Sequence, residues 1–402
     1  MLAALAEGTT RLENFSTGAD CASTLSCLRA LGCPITPSDE GGFEIHGSRA
    51  QLRPPDAALD CGNSGSTMRM LSGILAAQKF SSELTGDSSL VRRPMARVVE
   101  PLSRMGASIA ASEGGHPPLR ISAPAHGRLC GIDYNPPVPS AQVKTAILFA
   151  GLLAEGETTV EEAVRTRDHG ELALRAFGAE VTRSRTRVSI KGGQQLTAIT
   201  SRIPGDISSA AFFLCAAAIF PGSNLVIDGL GLNPTRAALL DVLTALGARL
   251  SVINLEERHG ELVGTVKVEH GSLRSVTIQG AQSAQLIDEL PVLAAIAPYT
   301  TGGIEIRDAK ELRVKESDRI AAVAANLRKM GVAVEEFPDG MKVAGHQHPH
   351  GAEIDSAGDH RIAMAFAVAA LKAEGETLIH GADAANISFP EFWDLLDRVT
   401  ER

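Results

Sequence analysis

Aromatic residues and positive charge are both scarce in this sequence. Aromatic side chains make up 4% of the 402 residues, with one Trp and two Tyr, and the formal net charge is −9. Surfaces that bind single-stranded nucleic acid stack bases on aromatic rings, and nucleic acids and anionic membranes attract basic proteins. We therefore expect no nucleic-acid partner and no membrane partner. An anionic substrate would have to be held by a local basic cluster.

Paired cysteines and long apolar runs are also missing. The six cysteines form no C-x-x-C pair and have no histidine at the spacing of a zinc site, which is typical of free thiols in a reducing cytoplasm. The apolar start, residues 1–6, is too short for a signal peptide and has no basic segment, and no stretch is long enough to cross a membrane. The sequence predicts a soluble, cytoplasmic protein without a metal site.

One short phrase, a helix end that runs through glycine into a strand, occurs five times. Its first copy is Leu28 to Ile35 (L-R-A-L-G-C-P-I). The glycines lie about 70 to 85 residues apart, which indicates an internal repeat, at Gly32, Gly106, Gly178, Gly247 and Gly331. Glycine at this place supplies the left-handed residue that ends a helix.

A second recurring element, an apolar helix followed by a turn and a strand, lies upstream of each repeat glycine. These helices are expected to begin near Asn63, Ser140, Ser208, Asp288 and Asp359, which are all good capping residues. Turns are expected at Gly156, Gly222, Gly302 and Gly375. The helices are apolar nearly all round, so they should be buried. With a short first helix in residues 1–6, the count predicts six units in two α/β domains, residues 1–203 and 204–402.

The stretch Gly62–Arg69 reads G-N-S-G-S-T-M-R, a tight glycine turn that leads into a helix. Free N–H groups and the positive end of the helix dipole suit an anion there, and Gly65 lets a ligand approach the backbone. These residues are equally compatible with an ordinary capped helix start. Further on, Arg92 and Arg93 lie at a loop-to-helix junction, where a solvated charge is the simpler interpretation of Arg92.

Together with the run Thr85–Met95 (T-G-D-S-S-L-V-R-R-P-M), this turn resembles 5-enolpyruvylshikimate-3-phosphate synthases, and the resemblance extends from Met1 to the C-terminus. It implies two domains of three βαβαββ units each, an inside-out α/β barrel. It also implies transfer of the enolpyruvyl group of phosphoenolpyruvate to the 5-hydroxyl of shikimate 3-phosphate, in the pathway to chorismate and aromatic amino acids. A monomer without cofactor or metal is expected. Gly65 matches a position where some glyphosate-tolerant members carry alanine, so room for this inhibitor is expected.

The resemblance also assigns roles to residues. Asp288 would take the proton from the attacking hydroxyl, and Glu316 would protonate the methylene carbon of phosphoenolpyruvate. The residues assigned to shikimate 3-phosphate are Ser140, Ala141, Gln142, Arg167, Asp288 and Lys315. Those assigned to phosphoenolpyruvate are Asn63, Gly65, Arg93, Gln142, Arg319, His360 and Arg361. Arginine suits such anions because its planar fork pairs with two oxygens at once and keeps its charge.

The residues by themselves leave simpler interpretations open. Ser140 and Asp288 are good helix caps, and the charged run Arg313–Arg319 could be a solvated helix start with ion pairs one turn apart. The related enolpyruvyl transferase that acts on UDP-N-acetylglucosamine uses a cysteine in the loop that here spans residues 85–93, and this loop has none. A degenerate scaffold that binds substrate weakly without turnover is the non-enzymatic alternative.

One motif of the family, P-G-D-K-S-x-[ST]-H-R, does not occur in this sequence. The resemblance places it just before the segment that begins at Met1, with a lysine, a serine and an arginine that would touch the substrates. Either Met1 is an internal methionine and the natural start lies about 25 to 30 residues upstream, or the chain is this short and would be weakly folded or inactive. Little synthase activity is therefore expected from these 402 residues alone.

Overall fold

The computed structural model describes residues 1–38, 41–49 and 51–400. The chain divides into two compact units, Met1–Ile203 (unit 1) and Pro204–Arg402 (unit 2). Within the described ranges, no helix has both the length and the apolar character needed to cross a membrane.

Unit 1 contains six helices and twelve strands within its described residues. The helices are α1 (Leu2–Leu5), α2 (Ala19–Ala30), α3 (Gly65–Leu75), α4 (Ala96–Arg104), α5 (Ala141–Leu152) and α6 (His169–Ala176). The strands are β1 (Thr9–Glu13), β2 (Ile35–Ser38), β3 (Gly42–His46), β4 (Leu59–Asp60), β5 (Ser82–Thr85), β6 (Ser108–Ser112), β7 (His116–Ser122), β8 (Asp133–Tyr134), β9 (Glu157–Glu161), β10 (Val181–Ser184), β11 (Arg187–Lys191) and β12 (Thr200–Arg202).

The strands of unit 1 form three four-stranded sheets with one shared pattern. Their orders are β12-β1-β3-β2, β4-β5-β7-β6 and β8-β9-β11-β10. In each sheet the first two strands are parallel and the last two form an antiparallel hairpin. Parallel neighbours need a crossover connection, and α3 and α5 supply it in the second and third sheets. The last strand, β12, completes the first sheet by pairing with β1.

The core of unit 1 is built around α3 and α5, which pack against each other. Met68, Leu71 and Ile74 on α3 are fully buried, as are Ile147 and Leu148 on α5. Burying each such side chain contributes about 1.5–3 kcal/mol to folding. The prediction that the apolar helices are interior is therefore confirmed.

Unit 2 contains seven helices and nine strands within its described residues. The helices are α7 (Ile207–Ile219), α8 (Ala238–Leu246), α9 (Ala281–Gln285), α10 (Leu290–Ile296), α11 (Arg319–Lys329), α12 (His360–Ala370) and α13 (Phe392–Val399). The strands are β13 (Asn224–Gly231), β14 (Arg249–Arg258), β15 (Glu261–Glu269), β16 (Val276–Ile278), β17 (Ile304–Ile306), β18 (Val334–Phe337), β19 (Gly340–Val343), β20 (Glu353–Asp355) and β21 (Leu378–His380). Short 3-10 helices join some of these elements, at Leu90–Arg92 and Glu113–Gly115 in unit 1 and at Ala297–Tyr299, Lys310–Val314 and Ala382–Ile387 in unit 2.

The sheets of unit 2 follow the same pattern less completely. Their orders are β13-β15-β14, β16-β17-β19-β18 and β20-β21. In the first sheet a parallel bridge from Gly205 to Leu230 takes the place of a fourth strand. Among the described residues, β21 pairs with β20 alone. The core lies around α7, α10 and α12, with Phe212 and Phe392 in edge-to-face contact at 5.6 Å between ring centroids.

The five repeat glycines end helices as predicted. Their φ angles are 82° (Gly32), 94° (Gly106), 94° (Gly178), 105° (Gly247) and 79° (Gly331). After each glycine, the next backbone N–H bonds to the carbonyl five residues earlier, as from Cys33 to Leu28 at 3.0 Å, which is the Schellman pattern. The turn predicted at Gly302 has its left-handed residue one position later, at Gly303.

The helix starts are placed correctly to within two residues. Ser140 and Asp359 cap α5 and α12 as predicted. For α3 the cap is Ser64, because Asn63 lies in the preceding turn, and for α7 it is Asp206, which lies before Ser208. In both cases a second good capping residue nearby takes the position.

Candidate active site

Asn63 and Arg93 are joined at the start of α3. The Asn63 amide donates to Asp87 Oδ2 at 2.7 Å and accepts from Arg93 Nη2 at 2.7 Å. Arg93 is buried, whereas its neighbour Arg92 is exposed, as the solvated interpretation of Arg92 predicts. A Cβ atom at Gly65 would lie 3.3 Å from Arg93 Nη1, so this guanidinium faces the bare backbone of the turn.

Gln142 connects the start of α5 to α3. Its Oε1 accepts from Arg69 Nη1 at 2.7 Å, and its Nε2 donates to Ser66 Oγ at 2.7 Å. Ser140 caps α5, and Ala141 is the first residue of this 12-residue helix. The first N–H groups of a helix have no partner within it, and the dipole makes that end attractive to phosphate. Ser140, Ala141 and Gln142 therefore share one potential anion site.

Lys144, one turn further along α5, is fully buried. Its Nζ lies 2.9 Å from Glu162 Oε2 and 2.8 Å from Glu171 Oε1. Glu162 also accepts the backbone N–H of Thr166 at 3.2 Å. Because Thr166 precedes Arg167, these buried ion pairs attach the loop that carries Arg167 to helix α5.

Arg319 is the centre of the charged cluster in unit 2. Its buried guanidinium lies 2.8 Å from Asp359 Oδ2, 2.7 Å from Glu316 Oε2 and 3.4 Å from Asp288 Oδ1. Burial disfavours its charge, but Asp359 and Glu316 outweigh burial and raise the pKa of Arg319. Burial likewise opposes ionisation of Asp359, and the Arg319 charge prevails and lowers the pKa of Asp359. One arginine thus joins the candidate base, Asp288, to the candidate acid, Glu316.

The charged run Arg313–Arg319 divides between two environments. Arg313 bonds to Asp318, the cap of α11, at 2.8 Å in a partly exposed ion pair. Lys315 Nζ instead lies 3.7 Å from Asp288 Oδ1. The interpretation as a solvated helix start therefore fails for Arg319, which is buried, whereas Arg313 and Lys315 are both partly exposed.

Asp288 does not cap α10. The cap position is Glu289, and no side chain there bonds to the helix backbone. Asp288 instead faces three cations: Lys315 and Arg319 on Oδ1, and Arg236 with its Nη1 at 3.7 Å from Oδ2. The interpretation of Asp288 as a simple helix cap is therefore wrong.

The start of α12 carries His360 and Arg361, which are both buried. Arg361 Nη1 donates to the backbone carbonyl of Ser208 at 3.1 Å. Burial, and next the charge of Arg361, lowers the pKa of His360 to about 4, so this imidazole is neutral at pH 7. Asp359 accepts the backbone N–H of Arg361 at 2.9 Å.

A comparison with known protein families identifies the family of the chain that carries these groups of residues. The family described as EPSP synthase (3-phosphoshikimate 1-carboxyvinyltransferase) matches residues 1–396. The chain belongs to the EPSP synthase family. The resemblance that the motifs indicated is therefore confirmed over nearly the whole sequence.

Individual EPSP synthase relatives agree with this assignment. The 3-phosphoshikimate 1-carboxyvinyltransferase of Koribacter versatilis (strain Ellin345) is 63% identical over 402 residues, which cover 100% of this chain and 93% of the relative. That of Solibacter usitatus (strain Ellin6076) is 56% identical with the same coverage. A solved EPSP synthase from Acinetobacter baumannii has a TM-score of 0.87 at 42% identity and covers 99% of this chain and 91% of that chain. The expected two-domain α/β fold is confirmed.

The predicted site residues of this EPSP synthase family member fall into contacting groups. Direct contacts or shared helix starts join Asn63, Gly65 and Arg93, then Ser140, Ala141 and Gln142, then Asp288, Lys315, Glu316 and Arg319, and finally His360 and Arg361. The loop that carries Arg167 is attached to α5 through the Lys144 ion pairs.

Sequence reasoning missed the residues that hold the site side chains in place. Arg69 and Ser66 orient Gln142, and both are present in the motif G-N-S-G-S-T-M-R, where the cation was visible. Arg236 faces Asp288, and nothing in its local sequence marks it. Throughout residues 1–38, 41–49 and 51–400, no group of three or more His, Cys, Asp or Glu side chains is placed to hold a metal ion.

Proposed function

We propose that this EPSP synthase family member transfers the enolpyruvyl group of phosphoenolpyruvate to the 5-hydroxyl of shikimate 3-phosphate and releases phosphate. The observation that carries the proposal is the contact of Arg319 with both Asp288 and Glu316. Addition to an enol phosphate needs a base, an acid and neutralisation of anionic charge. This cluster supplies all three.

The reaction is an addition followed by an elimination. The hydroxyl oxygen forms a bond to C2 of phosphoenolpyruvate while its proton passes to Asp288 and C3 takes a proton from Glu316. The tetrahedral intermediate then breaks its C2–O bond to phosphate and loses a proton from C3 to the Glu316 carboxylate, which restores the double bond. The proton on Asp288 leaves with the phosphate. Arg319 stays charged throughout because its neighbouring carboxylates raise its pKa.

The unit 1 residues act in binding. The α5 start and its attached loop would hold the phosphate and ring of shikimate 3-phosphate through Ser140, Ala141, Gln142 and Arg167. Asn63, Gly65, Arg93 and Gln142 would contact phosphoenolpyruvate. The amide partners of Arg93 and Arg69 support this role, because they fix each guanidinium in one orientation before a ligand arrives.

The unit 2 residues act in both binding and proton transfer. Lys315 beside Asp288 would contact shikimate 3-phosphate. Arg319 and Arg361 would pair with the phosphoenolpyruvate anion, and His360 would contact it as a neutral imidazole, since its pKa is lowered to about 4. A neutral ring donates or accepts one hydrogen bond without adding charge.

A cytoplasmic monomer is the proposed form of the enzyme. All six cysteines are free thiols, as a reducing compartment favours. Light scattering on a size-exclusion column tests the oligomeric state, and a mass twice that of the 42.1 kDa chain would overturn the monomer.

The test of the function is a coupled measurement of phosphate release and product formation with the purified chain. We expect phosphate and the enolpyruvyl product only when both substrates are present, and at a low rate, because the motif P-G-D-K-S-x-[ST]-H-R does not occur in this sequence. Product with UDP-N-acetylglucosamine as acceptor instead would favour the related transferase. Calorimetric binding of shikimate 3-phosphate without any product would favour the scaffold that binds but does not turn over.

A further inference from the structure

Arg236 is a partly buried arginine that no part of the motif analysis assigned. It lies in the loop between β13 and α8, where a rigid turn fixes its backbone. Asn233 is buried and accepts the backbone N–H of Thr235 at 2.8 Å, and its carbonyl accepts the N–H of Arg236 at 2.8 Å. The Asn233 amide also donates to Glu261 on β15 at 2.8 Å. Arg236 therefore projects from a position that has little freedom to shift.

The guanidinium of Arg236 is anchored on one side and directed at Asp288 on the other. Its Nη2 donates to Asp206 Oδ1 at 2.9 Å and to Ser208 Oγ at 2.7 Å. Its Nη1 is buried, has no hydrogen-bond partner among the described residues and lies 3.7 Å from Asp288 Oδ2. Leaving a buried N–H group without a hydrogen-bond partner costs folding free energy. The orientation of Nη1 towards the Asp288 carboxylate therefore indicates a functional role.

The two oxygens of Asp288 have different neighbours. Oδ1 lies near Lys315 and Arg319, the residues proposed to contact the substrates, whereas Oδ2 lies 3.7 Å from Nη1 of Arg236. The cations that contact Asp288 include Lys315 and Arg319 from the α11 start and Arg236 from the loop before α8. Arg319 in turn contacts Glu316 and Asp359, and Arg236 faces Asp206 and Glu289. His360 and Arg361 follow Asp359 at the α12 start.

We propose that Arg236 is a positioning residue for the general base: it holds Oδ2 of Asp288 and keeps this carboxylate ionised, so that Oδ1 is presented to the 5-hydroxyl. The proposal rests on the function proposed above. In the step it serves, the O–H bond of the substrate breaks, the oxygen bonds to C2, and the proton passes to Oδ1. Arg236 itself neither gains nor loses a proton.

The guanidinium of Arg236 keeps the positive charge that this role requires. Burial opposes it, but Asp206 and next Glu289 and Asp288 outweigh burial, and the pKa of Arg236 is raised above its usual value. A cation within about 4–6 Å of a carboxylate lowers the pKa of that carboxylate by about 1–3 units. Removing the cation should therefore raise the pKa of Asp288.

A rival interpretation gives Arg236 only the structural task of bridging Asp206 to Ser208 at the start of α7. The two interpretations differ for two single variants, Arg236→Gln and Asp206→Asn. Both break the Arg236–Asp206 ion pair, so a structural role predicts the same response in both. The positioning role predicts opposite responses, because one variant removes a positive charge near Asp288 and the other removes a negative charge.

The experiment is a carbon-13 NMR titration of the Asp288 carboxyl group, assigned by its loss in Asp288→Asn. We expect the titration midpoint to rise by about 1 pH unit in Arg236→Gln, to stay near the wild-type value in Arg236→Lys, and to fall or stay unchanged in Asp206→Asn. Arg258→Gln removes the same charge from exposed strand β14 and should cause no shift. Thermal unfolding of each variant reports whether it is folded.

An unchanged midpoint in folded Arg236→Gln, or a raised midpoint in Asp206→Asn, would overturn the proposal. If Arg236→Gln does not fold, Arg236→Lys and Asp206→Asn still decide, because a rise in either contradicts it. The NMR titration does not depend on turnover. If the chain lacks synthase activity, the proposed function is contradicted, but the test of Arg236 remains valid. In an active chain, the acidic limb of the pH profile of kcat should shift in each variant by as much as the titration midpoint of Asp288. Arg236→Lys should leave KM unchanged.

Discussion

The helix starts of the two units use arginine in opposite ways. In unit 1, Arg69 and Arg93 donate to the neutral amide oxygens of Gln142 and Asn63. In unit 2, Arg319 bonds to carboxylates, with Asp359 at 2.8 Å. Amides and guanidinium groups do not change protonation near neutral pH, so the unit 1 contacts can orient an anion but cannot exchange a proton. The carboxylates of unit 2 can, and the arginine among them sets their charge.

The comparison separates two kinds of defect. Substitutions at the unit 1 helix starts should weaken substrate binding alone, whereas substitutions in the carboxylate cluster around Arg319 in unit 2 should reduce stability or the chemical step. Five variants test this division, beginning with those that should have the largest effect.

Arg319→Met should be the most damaging change. It removes the cation that contacts Asp288, Glu316 and Asp359, and Asp359 is fully buried. Breaking a buried ion pair by removing one partner costs about 3–5 kcal/mol, measured as the free energy of unfolding in denaturant. The Asp359 pKa is lowered in the folded protein, so this stability is present above the unfolded pKa of about 3.9 and is lost as pH falls below it.

Arg313→Met is the matched control for that variant. Arg313 belongs to the same charged run, but its guanidinium is partly exposed: it pairs with Asp318 and Glu336 and donates to the backbone carbonyls of Phe337 and Pro338. Partly exposed ion pairs contribute about 1 kcal/mol or less each, so the loss should be smaller than in Arg319→Met. Equal losses of stability in the two variants would contradict the central role of Arg319.

Glu316→Gln should abolish most of the turnover and leave binding intact. The amide cannot supply a proton to C3, and loss of a general acid typically lowers kcat by about 10²–10⁴-fold. Steady-state kinetics with both substrates measures the effect, and calorimetry checks that shikimate 3-phosphate still binds. A rise in KM at nearly normal kcat would assign Glu316 to binding and remove the distinction between the units.

Arg93→Gln should show the converse pattern in unit 1. Losing one charged hydrogen bond to an anion costs about 1.5–3 kcal/mol, so we expect the KM for phosphoenolpyruvate to rise by about 10–100-fold with a much smaller change in kcat. Arg92→Gln is the control, because Arg92 carries the same charge next to it but is exposed. Equal KM changes in both variants would show that only overall charge matters.

His360 tests the pH dependence of stability in unit 2. Its pKa is lowered to about 4 by burial and by Arg361, against about 6.5 in the unfolded chain. The unfolded state therefore binds more protons between these values, and stability falls as pH falls through them, by about 2 kcal/mol at pH 5. His360→Gln should remove this loss, and His126→Gln, at an exposed histidine of unit 1, is the control variant. An unaltered slope in His360→Gln would contradict the shift.

The sequence was informative wherever the determining interaction is local. The repeat glycines ended helices as predicted because the left-handed residue and its hydrogen bonds lie within six residues of each other. Helix starts were misplaced by one or two residues where two capping residues compete, as Ser64 and Asn63 do. The contact of Arg236 with Asp288 could not be predicted, because it depends on how distant segments pack and no periodic pattern marks it.

The burial of Lys144 was missed for the same reason. In the sequence it is a polar residue in an apolar helix. Its partners Glu162 and Glu171 lie on other elements of unit 1, and a lysine is seldom fully buried unless it is paired. The fold therefore makes this lysine a support for the loop that carries Arg167.

Gly65→Ala should produce the smallest and most specific effect. The added Cβ atom would stand 2.9 Å from Arg69 Nη1 and 3.3 Å from Arg93 Nη1, so both guanidinium groups have to move by a few tenths of an ångström, which the ends of long side chains can do. We expect the KM for phosphoenolpyruvate to rise several-fold, about 1 kcal/mol, with little change in thermal stability, and glyphosate to inhibit less because the same space is filled. Ser66→Ala is a useful comparison, since it removes a bond to Gln142 without adding bulk beside the arginines. If Gly65→Ala changed kcat and left both KM and inhibition untouched, the turn at α3 would be part of the chemical step and the division between binding in unit 1 and proton transfer in unit 2 would be wrong.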